Sequence, residues 1–298
     1  MKQRLTLAIQ KKGRLNSDSM DLLEKTGIKI SSKNKNSLFC HSMTAPVDIL
    51  FVRDDDIPTL VNDGVCDLGI VGENVLAESA LKLRQNGQDW QIEVVKQLGF
   101  SRCRLSISVP DEIDIKTIAD LKDYKVATSY PCILNQFSKT HDLHLSSLNI
   151  SGSVEIAPSL GMSEAICDLV STGRTLEENN LKEVFTVMES QAVLIRKAEF
   201  GSQPLEDFFQ LLLKRIEGMQ QAKESKYVMF HAPAASLNQV AALLPGHEGQ
   251  TVMPISGSSD KVAVHIVTTE AVFWNTLECL KQAGASSILV LPIEKMLE

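Results

Sequence analysis

Long apolar runs are missing from this sequence. No stretch approaches the roughly 20 residues that a membrane span requires, and the opening MKQRLTLAIQKKGR holds one apolar run too short for a signal-peptide core, followed at once by charge. The chain therefore reads as cytoplasmic, with no membrane partner. Positive charge is not in surplus either: 30 Lys and Arg face 37 Asp and Glu, a net charge of −7. That excludes general nucleic-acid binding, which needs a basic surface. Anionic substrates stay open, but a phosphate must then be met by a local basic cluster, by helix N-termini or by a metal ion. None of the six Cys falls in a C-x-x-C pair and the six His lack metal-binding spacing, so a zinc or thioredoxin-like reading has no support. Reduced, mostly buried thiols are the expectation. A serine-hydrolase elbow, a Walker A motif and a dinucleotide fingerprint are absent as well.

What is present is an ordinary folded composition, 44% hydrophobic and 22% charged over 298 residues, enough for two or three domains with real cores. Short apolar runs alternate with helical spacing from the start. Leu5 to Ile9, Val47 to Val52 and Leu68 to Val71 read as strands, Leu15 to Lys25 and Val75 to Leu83 as helices. The pattern resumes after Arg102, with strands at Leu105 to Val109 and Lys125 to Thr128 and a helix over Ile133 to Phe137. Met162 to Val170 is expected to be an amphipathic helix, and Val184 to Arg196 a strand leading back to the first lobe. The fold class is α/β, with two lobes joined by crossing strands around a cleft. A long helix over Pro204 to Gln221 precedes a compact βαββαβ series from Tyr227 to Leu291, the ferredoxin-like order. The division expected is 1–100 with 183–224 as catalytic lobe I, 101–182 as lobe II, and 225–298 as a terminal domain.

Five segments could carry chemistry. In Asp168-Leu169-Val170-Ser171-Thr172-Gly173-Arg174-Thr175-Leu176, hydroxyls surround a Gly where a helical turn begins, a ready phosphate cradle. Asp168 repels phosphate but suits a ribose diol. The same residues also read as a helix stop followed by Ser/Thr capping. Glu155, among apolar residues on an expected strand end, would suit a sugar hydroxyl or a metal-bound water, or equally a salt bridge. Gln10-Lys11-Lys12-Gly13-Arg14 follows the first strand, where ligands of open α/β sheets sit, and its charges suit a pyrophosphate; alone it also fits solvated surface. Arg53-Asp54-Asp55-Asp56 opens a helix, and the helix dipole explains at least two of the acids. Asp67-Leu68-Gly69-Ile70-Val71-Gly72-Glu73 is a further strand end where a nucleotide could lie.

Together these segments resemble one family, the ATP phosphoribosyltransferases of histidine biosynthesis in their long form. The resemblance is carried by QKKGRL at Gln10, VRDDDIPTLVNDGVCDLGIVGENVL at Val52, ATSYP at Ala127, GSVEIAPSLGMSEAICDLVSTGRTLEENNL at Gly152 and GASSILVLPIEKM at Gly284. It implies a bilobal core like that of periplasmic binding proteins and an ACT-like regulatory domain. It also implies Mg2+ dependence, homo-oligomers (dimers and hexamers), feedback inhibition by L-histidine, and AMP or ADP as inhibitors. Ser171, Thr172, Gly173, Arg174, Thr175 and Leu176 match the loop that holds the 5′-phosphate of phosphoribosyl pyrophosphate. Glu155 and Asp168 match acids at the ribose and its metal, which is held mainly through substrate phosphates. Lys11, Gly13 and Arg14 match the basic turn near pyrophosphate and ATP, and Arg14, Glu155 and Asp168 stand as the catalytic set. Arg53, Asp67, Leu68, Gly72 and Glu73 match the nucleotide side, and His231, Gly249, Thr251 and Ser287 the histidine pocket. The family's Arg after the first helix is not found in Lys33-Asn34-Lys35-Asn36-Ser37-Leu38-Phe39, and Lys lacks its bidentate fork.

The implied reaction is displacement at the ribose anomeric carbon by N1 of the adenine of ATP, with pyrophosphate leaving. N1 brings its own lone pair, so no base need create the nucleophile. Catalysis is then expected from positioning and electrostatics. Two other readings compete: a solute-binding protein, which would bind phosphoribosyl pyrophosphate without turnover, and a catalytically dead regulatory subunit.

Overall fold

Leu5, Leu7, Ala8 and Ile9 are almost wholly buried, as a strand covered on both faces must be. They form β1 (Leu5–Gln10), which takes β3 (Val47–Val52) on one side and β4 (Leu68–Gly72) on the other, both parallel, while β2 (Phe39–His41) extends the edge. β5 (Ile92–Gln97) closes this sheet. The chain then crosses to a second sheet through β6 (Cys103–Pro110), β7 (Lys125–Thr128), β8 (Ser146–Asn149), β9 (Ala165–Val170) and β10 (Leu181–Ser190), and returns in β11 (Ala192–Lys197). Strand order is β2-β3-β1-β4-β11-β5 in the first sheet and β10-β6-β9-β7-β8 in the second. This computed structural model describes residues 4–30, 37–197, 200, 202–244, 246–269 and 274–296, and the chain divides into two compact units, Met1–Phe208 and Phe209–Glu298.

Helices α1 (Arg14–Lys25), α2 (Ile57–Asn62) and α3 (Glu73–Gln85) belong to the first lobe, and α4 (Pro131–Thr140) and α5 (Arg174–Glu178) to the second. Three expectations are corrected. Met162 to Val170 is not a helix: its second half is β9, parallel to β7. The run Ala165-Ile166-Cys167 is buried on both faces, and such a run carries no period that separates strand from helix. The expected boundary at 182/183 cuts through β10, which pairs with β6 over Ser190↔Cys103 to Leu181↔Pro110. The return to the first lobe comes later, at Gln191. Glu155 lies in a single 3-10 turn, Val154–Ile156, rather than on a strand end.

α6 (Gln203–Glu224) leads into the second unit. There β12 (Ser225–Pro233), α7 (Leu237–Ala242), β13 (Gly246–Pro254), β14 (Lys261–Thr269), α8 (Trp274–Gln282) and β15 (Ser286–Pro292) follow in βαββαβ order. The antiparallel sheet β13-β14-β12-β15 packs Val228, Phe230, Val264 and Ile266 against Val240 and Leu280. Residues 271–273, between β14 and α8, lie outside the described residues. No helix among the described residues is long and apolar enough to cross a membrane.

Candidate active site

Parallel strands aim their carboxyl ends the same way, so each lobe presents its strand ends and the loops after them to a common side. In the first lobe those ends are Gln10, Val52 and Gly72. In the second they are Thr128 and Val170. The loop after β9 turns through Gly173, whose φ of 84° lies in the left-handed region that glycine adopts without steric cost. Leu176 is buried with Val154, Ala157, Ile166 and Leu181, which fixes the base of the loop. Above it lies a pocket of about 130 Å³ lined by Glu155, Asp168, Ser171, Thr172, Gly173 and Thr175 among others. Arg174 lines it too, and its Nε donates to Glu178 Oε1 at 2.8 Å.

Asp168 is half-buried on β9. Burial pushes its carboxyl above the usual range, the Leu169 N–H at 2.8 Å pulls it back, and the charge of Glu155 raises it again. The two acids thus share one pocket and one field. Arg14, at the first turn of α1, reaches across the cleft: its Nη1 donates to Ser171 Oγ at 2.9 Å and its Nη2 to the Arg102 carbonyl at 3.4 Å. The basic turn and the hydroxyl loop, 157 residues apart in sequence, therefore meet. No side chain caps the N-terminus of α1. Lys11 is exposed at the same strand end, with its N–H on the Val52 carbonyl. Arg53 stands exposed at the end of β3, and Gln10 Nε2 donates to Asp54 Oδ2 at 3.1 Å.

Two other expected residues, Asp67 and Leu68, are not brought there. Asp67 and Leu68 stand at the amino end of β4, five residues from Gly72, which is about 17 Å along a strand. Asp67 Oδ2 accepts the Thr6 N–H at 2.7 Å and Leu68 is fully buried. Glu73 begins α3, but its carboxylate accepts from Gln97 Nε2 and the Gln191 N–H, both on the crossing segments. Gly72 is required by close approach: a Cβ there would meet Asn74 Oδ1 at 2.3 Å. In the second unit, His231 on β12 lies beside Ser286 of β15, whereas Thr251 is on β13, at the opposite edge of the four-stranded sheet. The edges are β13 and β15, three strand spacings or about 14 Å apart, with β12 and His231 between them, so Thr251 and Ser287 do not face each other across one small ligand within one chain. Lys33 and Lys35 lie outside the described residues.

The lobes are tied together by residues outside the five segments singled out in the sequence. Asn74, 4% exposed, donates from Nδ2 to Tyr130 OH at 2.9 Å and accepts from Ser190 Oγ at 2.8 Å. Tyr130 sits directly after β7. Burial first, and then Asp168, Asp54 and Asp55, hold its phenol well above the usual range, against the Asn74 hydrogen bond. The strand-end rule that selected Lys11 and Arg53 also selects Ser129 and Tyr130. Asn74 and Ser190 carry no such signal.

Among the described residues, no group of three or more His, Cys, Asp or Glu is arranged to hold a metal ion. The donor set in the pocket is two carboxylates beside a phosphate-sized cradle. Mg2+ suits that chemistry, since it binds through one or two carboxylates with waters and substrate phosphates.

Comparison with known proteins shows the family. A family model described as ATP phosphoribosyltransferase matches residues 53–218, more than half of the chain, and one described as the HisG C-terminal domain matches residues 222–295. Among solved structures, the ATP phosphoribosyl transferase (HisG:HisZ) complex from Thermotoga maritima is similar at 26% identity and a TM-score of 0.58, covering 72% of this chain and 98% of that one. The alkanesulfonate-binding protein SsuA from Xanthomonas axonopodis pv. citri matches at 15% identity and a TM-score of 0.45, covering 73% of this chain and 74% of that one.

Proposed function

The chain belongs to the ATP phosphoribosyltransferase family, and we propose that Arg14, Glu155, Asp168 and the loop from Ser171 to Leu176 carry its reaction. The enzyme transfers the phosphoribosyl group of phosphoribosyl pyrophosphate to N1 of the adenine of ATP and releases pyrophosphate, the first step of histidine biosynthesis. The observation that supports the residue assignment is the Arg14–Ser171 hydrogen bond across the cleft. It sets a guanidinium beside the hydroxyl loop, where a sugar 5′-phosphate and a pyrophosphate on the same ribose must both be held.

In this reading the loop hydroxyls and N–H groups grip the 5′-phosphate, and Asp168 accepts from the ribose diol. Arg14 and Lys11 draw the pyrophosphate away from the anomeric carbon as its charge grows. Glu155, across the pocket from Asp168, steadies the ribose. N1 attacks the opposite face with its own lone pair, so holding the two substrates in line is the main catalytic task. Mg2+ bound mainly through the substrate phosphates, beside Glu155 and Asp168, would screen the pyrophosphate charge. The nucleotide side is assigned to Arg53 and the Gly72–Glu73 corner.

The terminal domain, residues 225–298, is assigned to feedback by L-histidine, with AMP and ADP as further inhibitors at the cleft. An effector of histidine's size reaches one sheet edge only, so His231 with Ser287 and Gly249 with Thr251 serve as two half-sites that a second copy of the chain completes. The Thermotoga maritima relative is a HisG:HisZ complex. For this chain, homo-oligomers (dimers and hexamers) in the cytoplasm are proposed. Arg14→Ala tests the assignment: turnover should fall about 100- to 1,000-fold, the usual loss for one transition-state charge contact. Turnover within threefold of the parent removes Arg14 from the role.

A further inference from the structure

α3 begins in the first lobe but shows one face to the second. Val75 and Leu76 pack into the first core, whereas Ala77 and Leu81 pack against the second, beside Ile133 and Phe137. Asn74, Ala77, Glu78 and Leu81 are spaced as one helical stripe. At its centre the Glu78 carboxylate accepts the backbone N–H of Cys132 at 2.8 Å and of Ile133 at 2.9 Å. Those are first-turn donors of α4, which have no partner within their own helix. Tyr130, the residue before α4, offers no side-chain cap. A carboxylate from the other lobe fills that place, where the helix dipole favours a negative charge. Beside it the Cys132 thiol is pushed up to about 11 by burial and by Glu78 itself, so it holds no competing charge. Cavities of about 310 and 850 Å³ flank the contact on either side.

We propose that Glu78, with Asn74 one turn earlier, is a positioning residue for phosphoribosyl transfer. It caps α4 from the opposite lobe and so holds the two strand-end walls of the cleft at reacting distance. Asn74 fixes the same face to the crossing segment through Ser190 and to the second lobe through Tyr130. Without the cap, the lobes spend less time closed and the substrates must supply the closing free energy. Affinity then drops by the fraction of molecules still closed, while saturating substrate, which bridges both lobes, restores closure. The loss falls on KM and spares kcat. This inference rests on the transferase reading, so its test has one arm that needs no turnover.

That arm is amide exchange in the full chain. The Cys132 and Ile133 N–H groups should exchange about tenfold or more faster in Glu78→Gln, which is isosteric, than in the parent. Unchanged exchange overturns the cap whether or not the protein turns over. In the kinetic arm, Glu78→Ala should raise KM for phosphoribosyl pyrophosphate and ATP about tenfold with kcat within threefold of the parent, and Glu78→Gln should lie between. Added acetate can cap a free helix N-terminus but cannot join two lobes, so it should leave the raised KM unchanged. A KM that acetate restores, or a loss in kcat alone, assigns Glu78 to local capping and overturns the latch. An inactive parent with Glu78-dependent exchange would count against the transferase reading and leave the cap standing.

Discussion

At Asp168 two demands oppose each other. The ribose diol is best held by a charged carboxylate, yet burial disfavours that charge and Glu155 adds to the cost. An acid whose folded pKa is raised contributes stability that is complete below the unfolded pKa, about 4, and is lost as pH rises through the folded value. At pH 7 the substrate-free protein therefore bears the cost of the charge. Asp168→Asn removes it, so the variant should melt above the parent at pH 7. The gap should close as pH falls toward the ordinary carboxylate range. Turnover should drop about 10- to 100-fold, the usual loss when a hydrogen bond to a charged group is removed. Thermal melts across pH together with initial rates check both. A variant that melts below the parent at pH 7 contradicts the burial account, and unchanged turnover removes Asp168 from the ribose.

Among the elements, the loop after β9 depends on one left-handed turn. Nothing lies within 4 Å of a Cβ placed on Gly173, so Gly173→Ala meets no clash and bears only the backbone cost, about 1–2 kcal/mol. The free loop of the variant relaxes out of the left-handed turn, so the cost falls on binding: about 5- to 30-fold weaker binding of phosphoribosyl pyrophosphate with the melting temperature almost unmoved. Calorimetric titration would read it, and normal affinity would contradict the loop assignment. This element was legible in the sequence, because a Gly among hydroxyls states its purpose locally. The strand that delivers it was not. Its first half, Ala165 to Cys167, is buried on both faces, and only its neighbours β6 and β7 make it a strand. Asp67 misled for a related reason: a strand's residues are legible, but which end faces the cleft depends on its direction in the sheet. Parallel pairing with β1 puts Asp67 at the far end, on the Thr6 N–H.

For the whole molecule, alternation of short apolar runs with helices sufficed for two α/β lobes and a βαββαβ unit. The family segments sufficed for the reaction. The register of the crossing strands, the lobe contacts through Asn74 and Glu78, and the separation of Thr251 from Ser287 come from long-range pairing, which no local pattern records. Regulation is testable at this scale with the full chain. His231→Ala should weaken histidine inhibition at least tenfold while leaving uninhibited turnover within twofold, and unchanged inhibition would move the effector site elsewhere. Deleting 226–298 should abolish the sensitivity altogether. The most direct measurement is a continuous ultraviolet assay with ATP, phosphoribosyl pyrophosphate and Mg2+, since substitution at N1 alters the adenine chromophore and binding alone does not. Steady product formation that needs all three components is the predicted result. A folded protein that binds phosphoribosyl pyrophosphate and produces no such change would contradict the transferase account.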